Sequence, residues 1–261
     1  GLFPRKKSQL YHYTNGELTT QVKFRHSDNN EDFLTTEARL YDQYRIHSEN
    51  THQQKYFLYF GHEIPSDERK KYHRTNPDIA VNTESFSECI QKFLVTDEQR
   101  FNLVVLSTCN NGTPVMAEHL MSFSDVLLAS PQNLHLSHID SESLGLMESN
   151  PGISLIQLAD AMAEQTYHRL ETAIKTAITL TVYDLDMVQD YKSELHTFTT
   201  EYESLRGMQY VSDNVDCNRV EFFDGQTFRK GVKTWYNPAR FGRRSLTETH
   251  SGWGCKPVTT N

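Results

Sequence analysis

The sequence predicts an α/β fold, a three-layer α/β/α sandwich around a mostly parallel central sheet, with a small carboxyl-terminal appendage. Short apolar runs rich in aromatic and β-branched residues alternate with segments of helical periodicity, the pattern of helices laid over a sheet. One stretch, Phe101–Pro114 (FNLVVLSTCNNGTP), passes from a buried strand through a tight turn into a helix start. The 261 residues, without internal repeats or low-complexity tracts, suit one large domain at residues 1–205 and an irregular or β-rich appendage at 206–261.

Taken in order, Leu10–Tyr13 and Leu18–Phe24 flank Asn15-Gly16, and Asn-Gly between alternating apolar residues marks a hairpin. Asp32–Gln54 carries Phe33, Leu34, Ala38, Tyr41 and Tyr44 at helical spacing. Lys55–Phe60 (KYFLYF) is a strand that ends at Gly61-His62-Glu63. Ile64–Thr83 is a polar loop without periodicity, bearing Arg69, Lys70, Lys71 and Arg74. Such a loop is either functional or simply solvated. Ser85–Val95 reads as a helix capped by Ser85. After the Phe101 strand, Thr113 is placed to cap a helix that has Pro114 at its first position.

Asp125–Ser130 (DVLLAS) is a further buried strand, followed by a loop over 132–150. Ile153–Leu170 is an amphipathic helix and Ala177–Leu185 a strand. A helix over Asp186–Tyr202 follows, capped by Asp184 or Asp186. The remainder is rich in Gly, Arg, Asn and aromatics, and its His250–Cys255 run is best read as a tail packing a Trp.

Composition excludes several function classes. A formal charge of −8 gives no electrostatic footprint for nucleic acid or an anionic membrane. No apolar run approaches the roughly 18 residues that span a bilayer. Neither a Gly-rich phosphate loop nor a Cys/His zinc spacing occurs, so no cofactor and no metal is expected. His135, His138 and Asp140 lack a fourth ligand. Of the four cysteines, Cys217 and Cys255 are a candidate disulfide if the protein is exported.

The candidate chemistry lies at two strand ends. Cys109 is expected at the carboxyl end of its strand, beside a helix amino terminus whose dipole favours the nucleophilic thiolate. His62 stands at the end of the preceding strand, and neighbouring parallel strands would deliver both groups to one edge. A Cys–His pair is the minimal apparatus for nucleophilic attack on a carbonyl. Taken singly, a cysteine after an apolar strand is ordinarily an inert buried thiol, and a histidine at a strand end an incidental surface residue.

The ordered pieces KYFLYFGH, FNLVVLSTC, PVMAEHLMSFSDVLLAS and TLTVYDLDMV resemble the clostripain family of cysteine peptidases, in the caspase-like clan. The correspondence runs from about Asp32 to about Tyr202. The resemblance implies a caspase-like sandwich and an endopeptidase acting on peptide or protein substrates. Cys109 would be the nucleophile and His62 the general base. The backbone N–H groups of Cys109 and Glu63 would hold the oxyanion, and Ser107 and Ser130 would line the pocket for the residue before the cut.

The chain departs from the family in three places. Gly61 precedes the histidine and Glu63 follows it, where the family has Gly after His. Ser107 stands where clostripain-type enzymes carry an Asp that pairs with a basic substrate residue, so no strong basic preference is expected. The family's first strand has no counterpart in Gly1–Ser8.

Many relatives mature by cleavage after the histidine, which makes Arg69, Lys70, Lys71 and Arg74 candidate cut sites for an outside trypsin-like processing protease. The expected location is exported: periplasmic, cell-surface or secreted. The alternative function is a degenerate member that binds peptides or protein partners without cutting them.

Overall fold

The computed structural model describes residues 8–24, 33–45, 53–65, 81–94, 99–134, 137–188 and 231–237. The chain divides into two compact units, Gly1–Gln53 with Pro65–Gln99, and Gln54–Ile64 with Arg100–Asn261.

In the first unit, β1 (Ser8–Thr14) and β2 (Glu17–Phe24) pair antiparallel across Asn15 and Gly16. Both turn residues have positive φ, 52° and 80°, the geometry whose twist suits a two-residue hairpin and which Asn-Gly adopts at low cost. Helix α1 covers Thr35–Tyr44, shorter than the expected span; it has no side-chain cap and enters through Leu34 at φ 60°. Helix α2 covers Thr83–Gln91.

The cap of α2 differs from the expectation. Asn82 caps it, and Ser85 is the third helical residue of a reciprocal capping box: Asn82 Oδ1 accepts from Ser85 N–H at 2.8 Å, and Ser85 Oγ accepts from Asn82 N–H at 3.0 Å. The helix therefore begins at Thr83 instead of Ser85, because an amide oxygen satisfies a first-turn donor as well as a hydroxyl does. Thr83 N–H also donates to Pro65 O at 2.8 Å. Phe33 against Phe86 and Tyr41 against Phe93 pack aromatic pairs within this unit, with centroids 6.1 and 5.6 Å apart.

The second unit is built on a five-stranded sheet in the order β3-β4-β5-β6-β7. The strands are β3 (Tyr56–Phe60), β4 (Phe101–Ser107), β5 (Ser124–Ala129), β6 (Ile178–Asp184) and β7 (Val232–Asn237). Pairs β3-β4 and β4-β5 are parallel, whereas β6 runs antiparallel to both its neighbours. All strands but β6 thus point one way, as a mostly parallel sheet requires. The residues read as an appendage contribute one more strand, β7, to the same sheet. The expected boundary at 205/206 falls outside the described residues.

Helix α3 (Pro114–Leu120) opens as the sequence predicts, with Thr113 Oγ1 accepting from Met116 N–H. The loop over 132–150 is less irregular than expected: Glu142–Gly145 makes a 3-10 turn that leads into the single-turn helix α4 (Leu146–Ser149). Helix α5 (Leu155–Ala173) has a full capping box between Ser154 and Gln157.

The period-2 alternation of the strands sorts the core. Leu103, Val105, Val126, Leu128, Leu180 and Val182 face α5 and pack against Leu158, Ala159, Met162 and Ala163. Val104, Leu106, Leu127 and Ala129 point to the opposite face and are fully buried as well. A sheet buried on both faces is what makes these strands read as near-continuous apolar runs. The edge strand β7 is held to α5 by Asp160, which accepts from Lys233 Nζ at 2.7 Å and Trp235 Nε1 at 2.8 Å.

Asp184 ends β6. Its side chain accepts from Asp186 N–H at 3.2 Å as a short 3-10 turn begins over Leu185–Met187. The expected helix over Asp186–Tyr202 lies almost wholly outside the described residues. Burial raises the Asp184 carboxyl above its ordinary 3.8, and the neighbouring Asp186 and Asp125 add to that, against the opposing backbone hydrogen bond. A folded state that holds this proton more tightly than the unfolded chain loses stability as pH rises above that value. Asp184→Asn keeps the acceptor and removes the charge. It is expected to stabilise the protein at neutral pH, with the gain shrinking toward about pH 4, as urea denaturation across that range will measure.

Candidate functional site

The parallel pairing of β3 with β4 fixes which residues share the sheet's carboxyl edge. The register pairs Leu58 with Val105 and Phe60 with Ser107. A further two residues along each chain, past the paired stretch, stand His62 and Cys109. The ladder runs one residue past β3, where Gly61 N–H donates to Ser107 O at 3.3 Å. His62 is exposed, and Cys109 is a half-buried free thiol that packs against the α5-facing core. Leu134 N–H donates to Cys109 Sγ at 3.3 Å, so a backbone dipole is directed at the sulfur and its orientation is fixed from the β5 side.

Asn111 joins the two loops. Its Oδ1 accepts from Ile64 N–H at 2.9 Å and from Thr108 Oγ1 at 2.7 Å, and its Nδ2 donates to Ile64 O at 2.7 Å. The side chain is 2% exposed, so these bonds are made away from competing water. Next to it, Asn110 Nδ2 donates to Glu63 Oε2 at 2.7 Å, and Asn110 itself has φ 58°, a left-handed conformation that Asn tolerates better than most side chains. Among the described residues, neither the Cys109 nor the Glu63 backbone N–H donates to a protein acceptor.

On the other side, the Cys109 loop is stitched to the end of β5. Asn110 N–H donates to Gln132 O at 3.0 Å and Gly112 N–H to Ser130 O at 2.8 Å. Gly112 leaves no room for a side chain: a Cβ there would stand 2.7 Å from Pro131 N and Ser130 C and 2.8 Å from Ala129 O. Tyr183 Oη, fully buried, donates to Gly112 O at 2.7 Å and ties β6 into the same loop.

Of the sequence-predicted residues, Glu63 and Cys109 lie on loops joined by the Glu63–Asn110 and Ile64–Asn111 bonds, and His62 directly precedes Glu63. Ser107 and Ser130 are turned inward, at 4% and 0% exposure. Ser107 Oγ accepts from Ile139 N–H at 2.9 Å, and Ser130 Oγ donates to Gln132 O at 2.8 Å. Arg69, Lys70, Lys71 and Arg74 lie outside the described residues, as do Cys217, Cys255 and His135.

Asp140 is gripped by Arg169, whose Nε donates to both carboxylate oxygens at 3.0 and 2.7 Å. No group of three or more His, Cys, Asp or Glu gathers as for a metal among the described residues. Sequence reasoning missed Asn111, Gly112 and the Leu134 N–H. Asn110-Asn111-Gly112 was legible only as a chain breaker, although two amides between a strand and a helix also offer paired donors and acceptors for neighbouring backbone.

Neither a family profile nor a curated protein sequence matches the chain. Solved structures do. A secreted C11 cysteine protease from Bacteroides thetaiotaomicron, "iotapain", is 12% identical over 71% of this chain and 54% of its own, with a TM-score of 0.49. An inactive zymogen C11 protease from Parabacteroides distasonis is 14% identical over 71% and 50%, with a TM-score of 0.44. A clostripain from Bacteroides thetaiotaomicron, in complex with a peptide inhibitor, is 13% identical over 44% and 48%, with a TM-score of 0.34.

The likeness is to clostripain-family cysteine proteases. It concerns the fold, and the chain spans about half the length of these structures. No helix among the described residues is long and apolar enough to cross a membrane.

The loop architecture yields two expectations. Asn111→Ala strands a buried N–H, a hydroxyl and a carbonyl, and is expected to cost about 2–4 kcal/mol in chemical denaturation. Gly112→Ala forces a backbone shift at Ser130–Pro131 and is expected to cost about 1–3 kcal/mol. Beyond that loss, it should change the alkylation rate of Cys109 under conditions where the protein remains folded, because the same shift moves the Leu134 donor.

Proposed function

We propose that this chain is a clostripain-like cysteine endopeptidase that hydrolyses peptide bonds through a Cys109–His62 dyad. The observation that supports this best is the parallel β3/β4 register, in which the segments that lead to His62 and Cys109 leave the same end of the sheet. Cys109 attacks the scissile carbonyl, His62 takes the thiol proton and returns it to the leaving amine, and water then cleaves the thioester. The backbone N–H groups of Cys109 and Glu63, which have no protein acceptor among the described residues, are the oxyanion donors. Ser107 and Ser130 shape the adjoining pocket through the turns they hold, and neither offers a charge to a basic residue there. Cleavage at Arg69, Lys70, Lys71 or Arg74 by a trypsin-like protease opens the groove, and the protein acts outside the cytoplasm.

A second reading, a peptide-binding domain without turnover, is favoured by one observation. The Glu63 side chain, tethered to Asn110, borders the backbone N–H on which oxyanion binding depends.

Turnover of a diverse peptide library by the protein, before and after limited trypsin treatment, separates the two. Cys109→Ala should abolish cleavage, and His62→Ala should lower it by about 100-fold or more. Iodoacetamide should label Cys109 faster in the parent than in His62→Ala. Equal labelling rates with no turnover would remove the peptidase reading, and peptide binding without turnover would establish the second.

A further inference from the structure

We propose that Gln132 is a positioning residue for Cys109: it hangs the segment after β5 on β6 and on the Cys109 loop, and so keeps the Leu134 N–H on the sulfur. Gln132 takes no part in the proposed reaction and directly follows Pro131 in a polar stretch. Its side chain reaches across to β6, where Oε1 accepts from Thr179 Oγ1 at 2.9 Å, and Thr179 is 1% exposed. Its carbonyl accepts from Asn110 N–H at 3.0 Å and from Ser130 Oγ at 2.8 Å. Its own N–H donates back to Ser130 Oγ at 3.2 Å. Asn110 directly follows Cys109, so one residue joins β6, the end of β5 and the turn that carries the thiol.

Two residues on, Leu134 is pinned by other means. Its side chain, 3% exposed, belongs to the α5-facing core, and its carbonyl accepts from Ser137 N–H at 2.8 Å. Only the exposed Asn133 separates it from Gln132. With both ends of this short segment held, the Leu134 N–H is kept on Cys109 Sγ, to which it donates at 3.3 Å.

A hydrogen bond to an ionised acceptor is stronger than one to a neutral acceptor. The donor therefore selects one orientation of the Cys109 side chain and favours negative charge on its sulfur, and neither effect passes through His62. Loosening such a bond lowers the reactivity of the sulfur toward a neutral electrophile by about two- to tenfold near neutral pH.

The test reads the thiol directly. Cys109 is alkylated in the full chain with iodoacetamide from about pH 6 to about pH 10, a span that brackets ordinary thiol ionisation. Modification is read on the Cys109 peptide by mass spectrometry, so other thiols do not interfere. The tie to β6 is cut from either side: Thr179→Val removes the donor and Gln132→Met the acceptor, whereas Thr179→Ser keeps the hydroxyl. Both cuts are expected to slow alkylation about two- to tenfold near neutral pH, with Thr179→Ser at the parent rate. The deficit should close toward about pH 10, where a thiol ionises unaided. The double variant should lose no more than the larger single one, because both break one link.

Parent rates in Thr179→Val and Gln132→Met near neutral pH overturn the proposal. So does a deficit of equal size at every pH, which reports lost access or a lost fold. The expected deficit in a chain that cleaves no peptide keeps the role of Gln132 and removes the peptidase reading. Where peptides are cleaved, an arm that rests on that reading, both cuts should lower kcat about two- to tenfold with KM nearly unchanged. An unchanged kcat there overturns the positioning role and leaves the peptidase reading standing.

Discussion

Asn111 makes three hydrogen bonds, to Ile64 N–H, Ile64 O and Thr108 Oγ1, and on them depends the relation of the β3 end to the β4 end. Two parallel strands agree in register only as far as their ladder runs, and here the ladder stops at Ser107. Beyond it each chain would be free to diverge. A buried amide that satisfies both backbone groups of one residue replaces two rungs of the missing ladder. It does so at Ile64, two residues after His62, and from a position two residues after Cys109. His62 and Cys109 are thus bracketed between the last rung of the sheet and a side-chain clamp.

The same loop is held from the opposite side by contacts that need close approach. Gly112 lies against the backbone of Ala129–Pro131, and Tyr183 donates to its carbonyl from the antiparallel strand β6. With Leu134 N–H directed at the sulfur, the Cys109 loop is held from β3, β5 and β6 together. This rigidity is built from polar groups in a place where the apolar core has ended. Every such group must then find a partner, because an unpaired one would cost more than its hydrogen bond contributes.

Much of the fold was legible in the sequence because its signals are local. Asn15-Gly16 marks the hairpin, Thr113-Pro114 the start of α3, and the runs at Leu103–Leu106 and Val126–Ala129 the central strands. The strand at Val232–Asn237 was hidden for a physical reason: as an edge strand its Lys233, Trp235 and Tyr236 remain partly exposed, so no continuous apolar run announces it. Its place is set by Asp160 on α5, a long-range partner invisible to periodicity. Likewise Ser85 and Asn82 both fit a helix start, and only the backbone decides which is the cap. At the site, residue type and order indicated His62 and Cys109, while the clamp was illegible because Asn111 gains its role only when β3 and β4 lie side by side.

The polar character of this edge also bears on how charge is arranged there. A Ser at position 107 can be buried without a counter-ion, whereas a carboxylate in that setting would need one, as Asp140 nearby has Arg169. Glu63 avoids the same cost by remaining at the surface, oriented by a neutral amide. The Glu63 charge therefore lies at the surface, where water solvates it, and the buried Ser107 and Asp140 are respectively neutral and paired.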